Sequence, residues 1–212
     1  MKKPSSLHTL FLPWLTAVAL VLVPGCSLKK AYPAKATFAL EAIRAEATAR
    51  ASSTALLRVR PFTAVAPFDE RVFRSRIDDV RFQTDFYNEF VFTPRTLISD
   101  QTRLWLQNAG LFRAVLEPAS RAEPTHSLEG SVTALYADLR DAAAPKAVME
   151  LRLLLLKESS ASPEIVLDKT YRQVVPLENR QPAALAAGWS KGLAQILTAL
   201  EQDLGAKLAK SR

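Results

Sequence analysis

At 212 residues the chain has room for one domain with a sizeable core and hardly two. Hydrophobic residues make up 49% and charged residues 23%, an ordinary globular composition that leaves only local segments open to disorder. The formal charge of +7 includes Lys2 and Lys3 and falls to +5 without those two; the Lys and Arg residues form no basic run of five, which argues against nucleic-acid binding.

The first 25 residues have the layout of a signal peptide: Lys2-Lys3, then the apolar run Leu10 to Val23, then the small Gly25. That run is broken by Pro13 and Thr16 and is short of the roughly 20 apolar residues a transmembrane helix needs. The small residue is followed at once by Cys26, the only cysteine, so Leu22-Val23-Pro24-Gly25-Cys26 resembles a bacterial lipobox. A thiolate is the one side chain in this stretch nucleophilic enough to take a diacylglyceryl group as a thioether. A plain secretory signal with an incidental cysteine is the bland alternative. Each buried CH₂ of an acyl chain contributes about 0.8 kcal/mol, and two or more chains anchor stably without any spanning helix. Pro24 is an unusual residue just before the Gly-Cys pair, and Ser27 is not the Asp that retains enteric lipoproteins in the inner membrane. The outer membrane's periplasmic face is therefore the expected location.

Residues 26–36 read as a lipidated tether carrying Lys29, Lys30 and Lys35, able to lie on anionic headgroups or to stay solvated. One periplasmic domain is expected over residues 37–212. Thr37 to Leu40 is a first short strand, and Ala45 to Thr54 an Ala/Ser-rich connection. Ala55 to Phe62 is extended, with Pro61 marking an edge, a bulge or the strand's end. Val72 to Ile77 is another short strand.

Arg81 to Phe92 carries the clearest period-two pattern, with Phe82, Phe86, Phe90 and Phe92 on one side. Four aligned phenylalanines are more often a core-facing strand than a lipid-binding stripe; the minority reading is the apolar face a lipid-handling protein needs. Thr93-Pro94 opens a helix with Leu97, Ile98, Gln101, Leu104 and Trp105 as its inner stripe, and Gly110 ends it in the left-handed C′ position. Leu111 to Leu116 is a short strand, followed by a loop to Pro124. Ser127 to Leu139 alternates imperfectly, and its change of phase indicates a bulge or a change of face. Lys146 to Lys157, apolar on both faces at its end, reads as a central strand, and Glu164 to Val175 completes an antiparallel run. The last helix opens at Asn179 to Pro182 and keeps Leu185, Trp189, Leu193, Ile196, Leu197, Leu200, Leu204 and Leu208 on one stripe. That stripe suits burial against a sheet; a free amphipathic membrane helix is the alternative.

No chemistry-bearing constellation stands out. His126 is the only histidine beyond the leader and reads as a loop residue, and Cys26 is committed to lipid, so neither a metal nor any cofactor is expected. None of the six glycines forms a phosphate-cradling pattern. The carboxylate pairs Asp78-Asp79 and Asp138 with Asp141 read as solvated turns. No catalytic residue and no enzymatic activity are expected.

Taken together, the chain resembles the ABC-type transport auxiliary lipoproteins, the PqiC-like partners of MCE lipid transporters. The resemblance is carried by Cys26, the strand at Phe38, Leu56 to Pro67, the run Tyr87-Asn88-Glu89-Phe90-Val91-Phe92-Thr93-Pro94, the segment Gly110 to Val115, and the ending Trp189 to Leu208. Val91-Phe92 stands where that family usually has an Arg-Trp pair. The resemblance implies an α+β domain of the TolB N-terminal-like type. The elements above, read by themselves, give the same class: a mixed, largely antiparallel sheet of about six strands with two main helices on one face. It further implies a non-enzymatic role: an outer-membrane lipoprotein docking the MCE-domain protein of an ABC permease and ATPase complex, with phospholipid as a possible direct ligand. A structural or assembly lipoprotein of envelope biogenesis or secretion is the alternative.

Overall fold

The computed structural model describes residues 34–44 and 53–210. The leader, Cys26, the tether up to Pro33 and the connection 45–52 lie outside them. Among the described residues there are nine strands and two helices: β1 Ala36–Phe38, β2 Leu56–Val59, β3 Thr63–Ala64, β4 Val72–Arg76, β5 Phe82–Phe90, α1 Pro94–Ala109, β6 Ala114–Leu116, β7 His126–Asp138, β8 Lys146–Lys157, β9 Glu164–Pro176 and α2 Pro182–Lys210. The class is the α+β one expected, but with nine strands rather than about six. β1 and β6 fall at the short strands expected at Thr37 to Leu40 and Leu111 to Leu116, and β3, at two residues, is too short for a hydrophobic period to be read.

β7, β8 and β9 form an antiparallel meander. The other edge of β7 is shared end to end by β2, β3 and β4, all parallel to it. β6 lies beside β2, and β5 then β1 lie beside β4. The three antiparallel pairings are long and the five parallel ones short, so the sheet is mixed. Pro61, which has no N–H to give, falls in the break between β2 and β3.

Both helices cover one face of the sheet. On β8, Ala147, Met149, Leu151, Leu153 and Leu155 alternate toward that face and are all but fully buried. The α2 stripe predicted from its spacing is buried throughout, from Leu185 to Leu208, and rests on β8 and β9. At about 1.5–3 kcal/mol per fully buried Leu or Ile side chain, this one helix face is a large share of the domain's hydrophobic stabilisation. In α1 the inner residues are Ile98, Thr102, Trp105, Leu106 and Ala109, and Leu104 faces out. Gly110 ends the helix with φ 64°, in the left-handed region. The predicted bulge in β7 lies at Thr133: before it Leu128 and Val132 face the helices, and after it Leu135 and Ala137 do, while Ala134 and Tyr136 join Val148 in a small cluster on the opposite face.

A polar staple ties the early segment to both helices. Glu201 on α2 accepts from the Arg44 guanidinium at 2.7 and 3.0 Å and from the Trp105 indole N–H at 2.8 Å. Among the described residues no helix is long and apolar enough to cross a membrane.

Candidate functional site

The four phenylalanines predicted on one side of β5 do not share a face. β5 pairs with β4 so that Val72 sits opposite Glu89 and the next residue, Phe73, opposite Asp85. Phe86, Tyr87 and Asn88 are thus an insertion with no partner on β4. An odd number of inserted residues reverses the alternation. Phe90, beyond the insertion, is 1% exposed and packs on Phe73 and on Trp189 of α2, with ring centroids 4.7 and 5.4 Å away. Phe82, before it, lies on the other face against Tyr136 and Phe68 at 5.4 and 6.3 Å and is 41% exposed. Phe86 at the tip of the insertion is 69% exposed, and Phe92, beyond the strand's end, 60%. Phe90 is therefore core, Phe82 half-covered, and the other two are free apolar surface.

The insertion is held by an Asx turn. Asp85 Oδ1 accepts from the backbone N–H of Tyr87 at 2.9 Å and of Asn88 at 3.2 Å, and Oδ2 accepts from the Asn88 side-chain amide at 2.7 Å. On its outer side Asn88 is opposite Ala36 of β1, so the insertion lies beside the strand at which the tether joins the domain. Val80, Phe82, Phe86, Tyr87, Val91 and Phe92 make this hairpin and its exit the longest run of exposed large apolar residues in the described chain. Beneath it, Glu89 is clamped by Arg71 at 2.9 Å and Lys35 at 3.6 Å, which fixes the backbone under the apolar tip.

A second feature lies where β2 runs out past the end of β6, against the outward face of α1. A cavity of about 330 Å³ opens there, lined by Arg58, Arg60, Arg95, Arg103, Thr96, Ser99 and Asp100 above an apolar floor of Val59, Pro61, Phe62 and Pro118. Arg95, Ser99 and Arg103 fall at helical spacing on one stripe of α1, and Arg58 and Arg60 point the same way from an extended segment. A neighbouring cavity of about 470 Å³ shares Arg60 and Pro61 and adds Glu129, Arg152 and Leu154. Phe62 is seated over Gly130, so closely that a Cβ there would meet its ring at 2.6 Å.

Two of the four guanidinium groups lining the first cavity are ion-paired: Arg95 with Asp69 at 2.5 Å and Arg103 with Glu117 at 2.9 Å. Arg58 donates only to the Ser120 and Ala122 carbonyl oxygens, at 3.1 and 2.7 Å. The Nε atoms of Arg58 and Arg103 are buried without a hydrogen-bond partner. The Arg60 and Asp100 side chains and the Ser99 hydroxyl have no hydrogen-bond or ion-pair partner among the described residues. Sequence reasoning missed this group because Arg58 and Arg60 lie 35 or more residues before Arg95, Ser99 and Arg103; the Arg58-x-Arg60 alternation and the Arg95, Ser99, Arg103 stripe were its only local traces.

His126 is not a loop residue but the first of β7, 8% exposed, with Nδ1 3.0 Å from the Thr125 hydroxyl and its ring against Phe112. Burial, reinforced by the Lys157 charge, pushes its pKa below the usual histidine range. The acidic turns are ion-paired rather than free: Asp78 with Arg81, and Asp138 and Asp79 with Arg140. Hydrogen bonds from the Val80 backbone and from Arg81 lower the Asp78 pKa, and those from Arg140 lower that of Asp138. Among the described residues no group of His, Cys, Asp and Glu is placed to hold a metal ion. Cys26 lies outside them.

No protein-family model matches the chain, and no curated protein matches it in sequence. Its fold is that of solved structures. Protein XCC0632 from Xanthomonas campestris, which carries the family description DUF330, superposes with a TM-score of 0.70 at 20% identity, over 83% of this chain and 96% of its own. An uncharacterized protein superposes with a TM-score of 0.59 at 13% identity, over 81% of this chain and 99% of its own.

Proposed function

We propose that this chain is a lipid-anchored lipoprotein of the PqiC-like kind, held at the periplasmic face of the outer membrane, and that it docks the MCE-domain component of an ABC-type lipid transport system. The sequence Leu22 to Cys26 supports the anchor, and the fold in common with the DUF330 protein is compatible with that family. The observation that carries the docking role is the exposed pair Phe86 and Tyr87 on the Asx-bonded insertion, with the exposed Val91 and Phe92 just beyond the strand's end. Exposed large apolar side chains held in place by backbone hydrogen bonds suit a contact surface. The insertion lies beside β1, so a partner seated on it approaches close to where the tether enters the domain. Energy for transport comes from the partner ATPase, and the chain itself acts by anchoring and contact rather than by catalysis.

Crosslinking pull-down of the lipidated protein from detergent extract, with mass spectrometry of proteins and lipids, tests this. An MCE-domain protein is the expected capture, and replacing Phe86 and Phe92 by Ser abolishes it without unfolding the domain, because both side chains are exposed. Repeated capture of secretion or assembly machinery instead overturns the transport role. Cys26→Ala leaves the domain folded and moves it to the soluble periplasmic fraction. Wild-type protein found unlipidated and soluble there overturns the anchor.

A further inference from the structure

The geometry points to a binding site for a phosphate-bearing ligand in the cavity between β2 and α1, with Arg58 and Arg60 as its phosphate ligands. The docking role uses a different surface and does not require this one.

The lining is one-sided in its chemistry. Every polar side chain in it except Asp100 can donate a hydrogen bond, and four of them are guanidinium groups. Arg95 and Arg103 are already matched by Asp69 and Glu117, so they shape the wall more than they attract an anion. Arg58 and Arg60 are matched by no carboxylate. Arg58 is pinned by two carbonyl oxygens, which fixes its planar fork in place before any ligand arrives. Both bonds come from Nη2, so its Nη1 is left without an acceptor among the described residues. An anion oxygen entering the cavity satisfies it. Arg60 is free to close over the same oxygens, and the Ser99 hydroxyl is a further unpartnered donor on the facing helix.

Ligand size follows from the space. About 330 Å³ is at the lower end of small-molecule sites and suits a headgroup-sized anion rather than a whole diacyl lipid. The apolar floor of Val59, Pro61, Phe62 and Pro118 accepts a carbon backbone beside the phosphate. Asp100 repels a bare anion from its own wall and attracts an ammonium or hydroxyl group. The shared chemistry is therefore a phosphate on the β2 side. Its source is either a zwitterionic phospholipid headgroup, using Asp100 as well, or a free phosphate.

Isothermal titration of the full-length lipidated protein in non-ionic detergent, with glycerophosphoethanolamine, inorganic phosphate and uncharged glycerol, tests the site. Saturable binding of a phosphate probe and none of glycerol is expected. Arg60→Ala weakens it about tenfold or more, the loss of one charge-assisted hydrogen bond, with an unchanged urea midpoint because the Arg60 side chain bonds nothing among the described residues and its backbone bond to Leu128 is kept. Glycerophosphoethanolamine binding more tightly, and being weakened by Asp100→Asn, identifies a lipid headgroup. Inorganic phosphate binding more tightly, and being strengthened by Asp100→Asn, identifies free phosphate. No saturable binding of either phosphate probe up to about 10 mM, or equal binding by Arg60→Ala, overturns the proposal. That result leaves capture of an MCE-domain protein untouched, and failure of the capture leaves this binding untouched.

Discussion

Three glycines in α2, Gly188, Gly192 and Gly205, provide a test of how closely the helix lies on the sheet. In an exposed helix interior, Gly→Ala stabilises by about 0.8–1.0 kcal/mol. A Cβ at Gly205 would meet only the end of Leu111 at 3.8 Å, and one at Gly192 would lie 3.6–3.9 Å from Val175, Gln173 and Met149, all ordinary contacts. Gly188 differs. A Cβ there would overlap the end of the Leu177 side chain and come within 2.8 Å of the Ala147 Cβ. Leu177 can swing away, but Ala147 is a strand residue between β7 and β9 with nowhere to go. Carbon atoms prefer about 3.5–4.0 Å, so helix and sheet must part by close to 1 Å beside the fully buried Trp189. Overpacking of this kind costs about 1–3 kcal/mol and outweighs the propensity gain. Gly188→Ala is expected to destabilise by up to about 2 kcal/mol net, while Gly205→Ala stabilises by about 0.5–1 kcal/mol. Thermal melts of the full-length protein in detergent read both, at about 2–4 °C per kcal/mol for a domain of this size. A Gly188→Ala protein melting at or above the wild type would refute the close approach of α2 to β8.

Glu201 gives a pH test. The Arg44 guanidinium first, then the Trp105 N–H, hold its carboxyl below the ordinary value of 4.5. A depressed folded value means that the staple's contribution is complete above the unfolded value and is lost as pH falls through the folded one. Urea midpoints measured from about pH 6 to pH 3 should therefore fall, and Glu201→Gln should lower the midpoint at neutral pH and flatten that acid limb; an equally steep limb in the variant removes Glu201 from the account. Asp85→Ala should cost about 1–2 kcal/mol and speed amide exchange at Tyr87 and Asn88, whose N–H groups lose their acceptor. Unchanged exchange there means that the turn does not hold the insertion.

Elements long enough to show a period were legible. β7, β8, β9 and α2 start and end within a few residues of where their patterns place them, and the β7 bulge appears as the shift in phase between Val132 and Leu135. β1 and β6 lie at the short strands expected from Thr37 to Leu40 and from Leu111 to Leu116; β3 is two residues long, and what makes it a strand is pairing with β7, information that no local window holds. The arginine cavity was hidden for the same reason. Arg58 and Arg103 meet only because β2 pairs with β7 while α1 packs over the neighbouring strand ends.

β5 failed differently, since its pattern was strong and its reading was wrong. Phe82, Phe86 and Phe90 keep even spacing, yet period two predicts a shared face only if every intervening residue stays in the ladder. The cue that it does not is also local: Asp85 followed by Tyr87 and Asn88 is an Asx turn in a segment otherwise suited to a strand. The turn takes three residues out of register, sends Phe90 into the core against Trp189, and lifts Phe86 into solvent. Burial of Phe90 and exposure of Phe86 are thus one event. A substitution that let β5 run straight would not simply bury the apolar tip; it would turn either Phe82 or Phe90 to the wrong face, so the core itself keeps the tip exposed.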